Sequence, residues 1–288
     1  MTNGRVAVLG TGIMGAAVTR NLIKSGFEAA VWNRSREKAE PLADDGATVT
    51  DSPSGAADGA DFLITMLPTA EVTAEVVGEG VLDALARSAV WVQMGTVGVD
   101  GSRELQNLAL QKGVAFVDAP VLGTRQPAEA GELIVLASGP EEVSKKVAPV
   151  FEAIGKKTIW VGPVGAGSRL KLVTNGWIVG LLASLAETIA LARELGVDPQ
   201  DFIGAIEGGP LDVPYAQMKG NAMISGEYPV SFPLNLARKD AGLVMDASGS
   251  LSAKVTEAAA AYFDAAIEAG HGDEDLAAIH EGVLDSRG

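Results

Sequence analysis

The chain has no cysteine and only two histidines. Disulfide scaffolds, thiolate metal sites and thiol nucleophiles are therefore excluded. His271 and His280 fall near the C-terminus, in Gly270-His271-Gly272-Asp273-Glu274-Asp275 and Ile279-His280-Glu281. That spacing matches neither H-E-x-x-H nor a calcium loop, so no metal site is expected, and Asp273 or Asp275 reads as the cap of the last helix. Basic residues are scarce as well: 22 Lys and Arg stand against 37 Asp and Glu, a formal net charge of −15, with no Lys/Arg block. Nucleic acid and anionic membrane are not expected partners of such a surface. The longest nearly charge-free stretch, residues 172–186, is shorter than the run of about 20 that a membrane span needs, and it reads as a buried core helix. Met1-Thr2-Asn3-Gly4-Arg5 leads into a strand pattern without a charged-then-apolar leader, so the expected location is cytoplasmic.

With 288 residues, 47% of them hydrophobic, there is enough apolar surface for two moderate cores. Strand and helix patterns alternate as far as about residue 161. Strands are predicted at 6–9, 29–32, 62–66, 90–93, 115–117, 133–137 and 158–161, with helices such as 102–112 and 140–154 between them. Alternation of this kind implies a parallel sheet with helices on both faces. After Gly162-Pro163-Val164-Gly165-Ala166-Gly167 the signal becomes helical: Ser168 can cap a helix running to about Leu195, and 199–207, 237–247 and 253–269 follow. The predicted fold is α/β, an N-terminal doubly wound Rossmann sheet (1–162, NADP-binding) followed by an all-α C-terminal domain (163–288, substrate binding and dimerisation) entered by a long interdomain helix.

Within the first strand-to-helix turn stands Gly10-Thr11-Gly12-Ile13-Met14-Gly15. In G-x-G-x-x-G the first glycine permits the tight turn, the second lets backbone approach a pyrophosphate, and the third lets helix and strand pack closely; the helix N-terminus offers unpaired N–H groups. Here the motif follows an apolar run and precedes the helix-like 16–24, the context that gives it meaning. After the second strand, where NAD-binding versions place an acid for the ribose 2′-hydroxyl, the chain reads Asn33-Arg34-Ser35-Arg36. No carboxylate repels a 2′-phosphate. Arg34 can offer it a fork of donors, with Asn33 and Ser35 adding neutral ones, so NADP(H) is expected over NAD(H). Arg36 reads as part of a solvated charged face.

The long helix, Ser168-Arg169-Leu170-Lys171-Leu172-Val173-Thr174-Asn175-Gly176-Trp177-Ile178, is apolar nearly all round and is expected to be central and packed on several sides. Lys171, Asn175, Ile178 and Leu182 share one face. A partly desolvated amine there is suited to proton transfer, yet a lysine in a first turn can equally run its stem along apolar surface and leave its amine in water. Trp177 and Phe232 can line a cleft or simply fill core.

Taken in order, residues 10–15, Asn33-Arg34-Ser35, Met66-Leu67-Pro68, Gly95-Thr96, Asp118-Ala119-Pro120-Val121, the run from Gly167 to Asn175, and Lys239-Asp240 resemble the landmarks of the β-hydroxyacid dehydrogenases. The resemblance covers essentially the whole chain. That family includes 3-hydroxyisobutyrate dehydrogenases, tartronate semialdehyde reductases and glyoxylate/succinic semialdehyde reductases; 6-phosphogluconate dehydrogenases and imine reductases are its relatives. It implies that Lys171 is the general acid in carbonyl reduction and the base in reverse, and that Asn175 hydrogen-bonds the reacting oxygen or orients the lysine. It implies substrate contacts from Gly123 and Thr124, and Phe232, if it lines the cleft, is expected to be a further substrate contact. Cofactor contacts are implied for Gly10, Gly12, Ile13, Met14, Gly15, Asn33, Arg34, Ser35, Met66, Leu67, Thr96 and Lys239. The helical half would complete the cleft and supply a dimer surface.

Two positions depart from the family pattern. Leu122 stands where Ser is common and Thr124 where Gly is common, so one hydroxyl donor is lost and another gained. The continuation Arg125-Gln126-Pro127-Ala128-Glu129-Ala130-Gly131-Glu132-Leu133 looks more like the glyoxylate/succinic semialdehyde reductases. Arg125 reads either as a carboxylate partner or as a solvated loop arginine. The expected activity is hydride transfer between NADPH and a small aldehyde or keto acid. Two alternatives stay open: imine reduction, which the apolar Leu122 would favour, and a cofactor-binding interaction module without turnover.

Overall fold

The computed structural model describes residues 3–78 and 80–285 and divides into two compact units, Met1–Lys171 and Leu172–Gly288. Among the described residues of the first unit nine strands form one sheet: β1 (Arg5–Leu9), β2 (Glu28–Trp32), β3 (Thr48–Val49), β4 (Phe62–Thr65), β5 (Val90–Gln93), β6 (Ala115–Asp118), β7 (Val121–Leu122), β8 (Leu133–Ser138) and β9 (Gly155–Gly162). Their order is β3-β2-β1-β4-β5-β6-β8-β7, with β9 paired to β8. The central strands β1, β4 and β5 are mainly apolar because the sheet is covered on both faces there. Side chains alternate between two cores with the strand period of two. Val6, Val8, Phe62, Ile64, Val90, Val92 and Val117 enter one, beside Val18, Leu22 and Phe151. Ala7, Leu9, Leu63, Trp91 and Phe116 enter the other, beside Leu105. Truncating a fully buried leucine such as Leu63 to alanine is expected to cost about 2–5 kcal/mol.

All seven predicted strands are present, but the sheet is not wholly parallel. β1 to β6 are parallel, whereas β8 runs antiparallel to β6 and to β7. The alternation rule fails there because no full-length crossover separates β6 from β7 and β8, only the turn at 119–120 and the short helix Arg125–Glu129. β3 and β7, two residues each, are too short to leave a periodic signal. The strand order reverses between β1 and β4, and that is where a doubly wound sheet opens a crevice at its carboxyl ends.

The long helix spans Ala166–Glu194. Ser168 is not its cap: it lies inside the first turn, and its hydroxyl donates to Asp118. In the second unit this helix is joined by Pro199–Ile206, Pro214–Ser225, Leu234–Ala247, Lys254–Glu268 and Ile279–Asp285 around a core that includes Leu182, Leu185, Ile189, Leu234, Phe263 and Ile279. Asp198 caps Pro199–Ile206 by accepting from the Gln200 amide, and Asp275 caps the turn Leu276–Ala278 through the Ala277 amide. Pro214–Ser225 was not singled out from sequence, because its apolar residues do not form one stripe.

Two expectations for the long helix are corrected. By length and mean hydropathy, 1.4 in its most apolar window of 18 residues, it is long and apolar enough to cross a bilayer. Half of that window is nevertheless buried within the chain. Nor is the helix packed all round: Val173 and Trp177, one turn apart, are 70% and 66% exposed, and Leu191 lies farther along the same open stripe. Trp177 is thus neither core nor enclosed, because the stripe that carries it faces outward.

Candidate functional site

Gly10 closes β1, its amide donating to the Trp32 carbonyl at 2.9 Å. Its φ of +98° belongs to the region that favours glycine, and a Cβ there would collide with the Met66 carbonyl. Gly15 packs the first turn of Ile13–Lys24 directly on Gly10, whose carbonyl oxygen a Cβ would overlap. Gly12 differs: nothing lies within 4 Å of its would-be Cβ. It caps the helix with no side-chain hydrogen bond, and the first turn holds no acid. The leading amides and the positive end of the dipole are therefore available to an anion in that open space. Ile13 and Met14 are partly exposed beside it.

Asn33 ties this loop to the end of β2: its Oδ1 accepts from the Thr11 amide at 3.0 Å, and its Nδ2 donates to the Ser35 carbonyl at 2.9 Å. It braces the loop with the groups that sequence assigned to a ribose phosphate. The Thr11 hydroxyl is buried without a partner. Arg34 is exposed and has no ion-pair or hydrogen-bond partner among the described residues, whereas Arg36 is engaged by Glu40 at 3.2 Å and by Asp51. Met66 and Leu67 follow β4 and are half-buried, as is Thr96 after β5.

Beneath these loops runs a buried polar relay that sequence reasoning missed. Trp91 Nε1 donates to Thr65 Oγ1 at 2.9 Å, Thr65 Oγ1 donates to Gln93 Oε1 at 2.9 Å, and Gln93 brackets Gly95 through its amide (3.2 Å) and carbonyl (2.8 Å). Each polar atom of the relay strengthens and fixes the next. The signal was present, since Thr65 and Gln93 interrupt otherwise apolar strand runs.

At the far end of the sheet, the carboxylate of Asp118 receives the Ser168 amide at 2.8 Å, the Ser168 hydroxyl at 2.7 Å and the Ser138 hydroxyl at 3.2 Å. Ser138 Oγ in turn accepts the Gly167 amide at 2.9 Å. Burial pushes the Asp118 carboxyl above the usual carboxylate range, and the serine donors offset only part of the shift. One turn past Ser168, Lys171 is half-buried and its Nζ donates to the Val121 carbonyl at 2.8 Å. Val121 opens the segment that leads to Gly123, exposed, and Thr124, half-buried. Leu122 pairs with Ile134 across β7 and β8. Arg125 is exposed and leans toward Glu129 at 3.8 Å, which favours the solvated-loop reading.

In the second unit, Asn175 Nδ2 donates to Asp240 Oδ2 at 2.8 Å, and Lys239 Nζ meets Asp240 Oδ1 at 2.9 Å. Phe232 is half-buried, its amide donating to Asp275 at 3.2 Å. Asp275 also holds Lys219 Nζ at 2.6 Å and both the amide and hydroxyl of Ser231. Its burial would raise the carboxyl's pKa, but the Lys219 ammonium and the Ser231 donors outweigh that and lower it. This ion pair was not foreseen; a lysine in an apolar helical stretch with an aspartate 56 residues on leaves no local pattern. His271 pairs with Glu274 at 2.7 Å and His280 meets Arg193 at 2.9 Å. Among the described residues no group of three or more His, Asp or Glu side chains stands together as a metal site would.

The first unit therefore combines a glycine loop with open space for an anion and a lysine amine held at the Val121 carbonyl, at the head of the segment leading to Gly123 and Thr124. Residues 5–162 match the NAD binding domain of 6-phosphogluconate dehydrogenase, and residues 165–282 match the NAD-binding domain of NADP-dependent 3-hydroxyisobutyrate dehydrogenase. The chain is 34% identical to glyoxylate/succinic semialdehyde reductase 2 of Arabidopsis thaliana, over 96% of this chain and 79% of that protein. It is 33% identical to reductase 1 of the same plant, over 98% of this chain and 99% of that protein. A solved structure of the Mycobacterium tuberculosis 3-hydroxyisobutyrate dehydrogenase with L-serine aligns at TM-score 0.86 and 29% identity, over 98% of this chain and 99% of that one.

Proposed function

The chain belongs to the β-hydroxyacid dehydrogenase family of NAD(P)-binding oxidoreductases, and from that premise we propose that it reduces a small aldehyde or keto acid with NADPH. The observation that carries this reading is the Lys171 amine held at 2.8 Å on the Val121 carbonyl, at the head of the loop bearing Gly123 and Thr124. When bound, the reduced nicotinamide supplies the hydride. Gly10, Gly12, Ile13, Met14 and Gly15 would hold the pyrophosphate, with Met66, Leu67, Thr96 and Lys239 along the rest of the cofactor.

Lys171 gives a proton from Nζ to the carbonyl oxygen as negative charge develops there, and takes it back in the oxidative direction. The bond to Val121 limits the directions in which its remaining N–H groups point. Asn175, one turn on along the same helix and held by Asp240, orients the reacting oxygen. Gly123 and Thr124 donate to the substrate carboxylate. The absence of an acid after β2 and the unpartnered Arg34 support NADP(H) over NAD(H). The outward stripe of Val173 and Trp177 supports a homodimer, since exposed apolar side chains at helical spacing are suited to a two-fold contact.

Initial rates with NADPH against glyoxylate, succinic semialdehyde, a 3-oxo acid and a cyclic imine test the reading. Lys171→Ala is expected to lower kcat about 10²–10⁴-fold while NADPH affinity stays within about twofold. A variant as fast as the wild type removes the lysine from its role. A chain that prefers the cyclic imine is an imine reductase, and one that binds NADPH tightly but turns over nothing is a binding module.

A further inference from the structure

We propose that Asp118 is the positioning residue for Lys171, its buried carboxylate indexing the first turn of the long helix onto the same short segment that holds the lysine's amine. The inference rests on Lys171 being the acid and base. Its geometry lies wholly within the first unit. β6 ends at Asp118 and β7 begins at Val121, so residues 118–121 form one stiff corner of the sheet. The helix is attached to that corner twice. Ser168 donates from its amide (2.8 Å) and hydroxyl (2.7 Å) to the Asp118 carboxylate, and Lys171 donates to the Val121 carbonyl at 2.8 Å. Residues three apart on a helix face the same way, so both attachments act on one side of one turn. A lysine stem alone has four free torsions and fixes its amine poorly; the Ser168 grip sets where that stem begins.

A carboxylate suits this task because it only accepts, and what surrounds it mostly donates. The Ser138 hydroxyl, itself receiving the Gly167 amide, donates from the other side. The Ser102 hydroxyl, buried on the helix Gly98–Gln111, bears on Asp118 without making a full hydrogen bond. These neighbours are neutral. The positive end of the long helix favours the charge, yet burial still holds the carboxyl's pKa above its ordinary value. The ionised form is thus less favourable in the fold than the protonated one, and a neutral side chain of the same shape would avoid that difference. A carboxylate buried without a cation, at a fixed contact with the turn that bears Lys171, is better explained by what it positions than by what it stabilises.

The test uses the full-length chain with NADPH and the fastest substrate of the panel, in steady state and in single turnover. Asp118→Asn keeps the shape but sets an amide where a donor already points. It is expected to lower kcat about 10- to 100-fold, to leave NADPH Kd within about twofold, and to unfold at a temperature no lower than the wild type. In the Lys171→Ala background the same substitution is expected to remove less than about twofold more, because a positioning residue has nothing left to position. Ser168→Ala, which deletes one of the two bonds from the helix, is expected to show the same pattern more weakly and carries the test should Asp118→Asn fail to fold. Wild-type kcat in Asp118→Asn, or the same fold-loss with and without Lys171, overturns the inference. If Lys171→Ala itself retains full turnover, the acid/base assignment falls first and this one with it, an outcome distinct from a silent Asp118→Asn.

Discussion

Asp118 in the first unit and Asp275 in the second are buried to nearly the same degree, 0% and 2% exposed, but are partnered in opposite ways. Asp118 faces serine hydroxyls and backbone amides, so burial prevails and its pKa rises. Asp275 faces the Lys219 ammonium at 2.6 Å together with Ser231, and its pKa falls. The second unit has neutralised its buried charge, and the first has not. Asp275 gathers the segment Ser231–Phe232, the helix Pro214–Ser225 and the turn Leu276–Ala278 around one ion pair, which is the pattern of a structural knot. Asp118 joins the end of β6 to Ser138 on β8 and to one turn of one helix, the turn that leads to Lys171.

The contrast is broken most forcefully at Lys219. Lys219→Met keeps much of the stem but leaves Asp275 a buried charge without its cation, and is expected to lose about 3–5 kcal/mol of folding stability in urea unfolding. Against a typical total of about 5–15 kcal/mol, that is a large share. Pairing it with Asp275→Asn is expected to recover part of the loss, because the amide removes the lone buried charge while its oxygen still accepts from Ser231 and Phe232. A loss below about 1 kcal/mol in the single variant would show that Asp275 does not depend on the lysine.

The pH dependence of stability sharpens the same contrast. Asp275 binds its proton less tightly folded than unfolded, so its contribution is present above the unfolded carboxylate pKa of about 3.9 and is lost as pH falls through the lower folded value. Asp118 binds its proton more tightly folded, so stability is greatest below about pH 3.9 and is lost as pH rises through the higher folded value. The stability deficit of Asp275→Asn relative to the wild type is therefore expected to shrink on acidification below about pH 4. The advantage of Asp118→Asn is expected to be largest at neutral pH and to shrink as pH falls toward 4. Each difference changes by at most about 1.4 kcal/mol per pH unit. Unfolding curves from pH 3 to 8 for the two asparagine variants check it, and parallel curves would remove the distinction.

How much of this was legible in the sequence follows from the range of each interaction. The strands of the sheet were readable because doubly covered strands are apolar runs, and the glycine loop because its residues act within six positions of one another. Lys171 was readable as a candidate from the helix pattern and the motif around it. What holds it was not: Val121 and Asp118 each lie 50 residues from their partners in the helix, and no local period records such a contact. Asn33 marks a different limit: its place in a short-range motif was legible, but not that its amide bonds to Thr11 and Ser35. The outward stripe at Val173 and Trp177 was hidden because an apolar helix reads alike whether its last face meets core or solvent.

The smallest effects on folding are expected at the two arginines after β2, and they carry the contrast between partnered and unpartnered charge to the surface. Arg36 is half exposed and already shared between Glu40 and Asp51, so Arg36→Ala is expected to change stability by less than about 1 kcal/mol and cofactor affinity not at all. Arg34 has no such partner among the described residues, and its removal is expected to leave stability unchanged within about 0.5 kcal/mol. Of these two arginines, Arg34 is the one left to meet a 2′-phosphate among the described residues. Arg34→Ala is accordingly expected to raise the Kd for NADPH about tenfold or more and that for NADH less than twofold, since only the first offers a second phosphate to a guanidinium fork. Fluorescence titration of both arginine variants with both nucleotides separates the roles. Equal weakening of NADPH and NADH by Arg34→Ala would end its assignment to the phosphate, and weakening of NADPH by Arg36→Ala would transfer that assignment to the arginine held by Glu40 and Asp51.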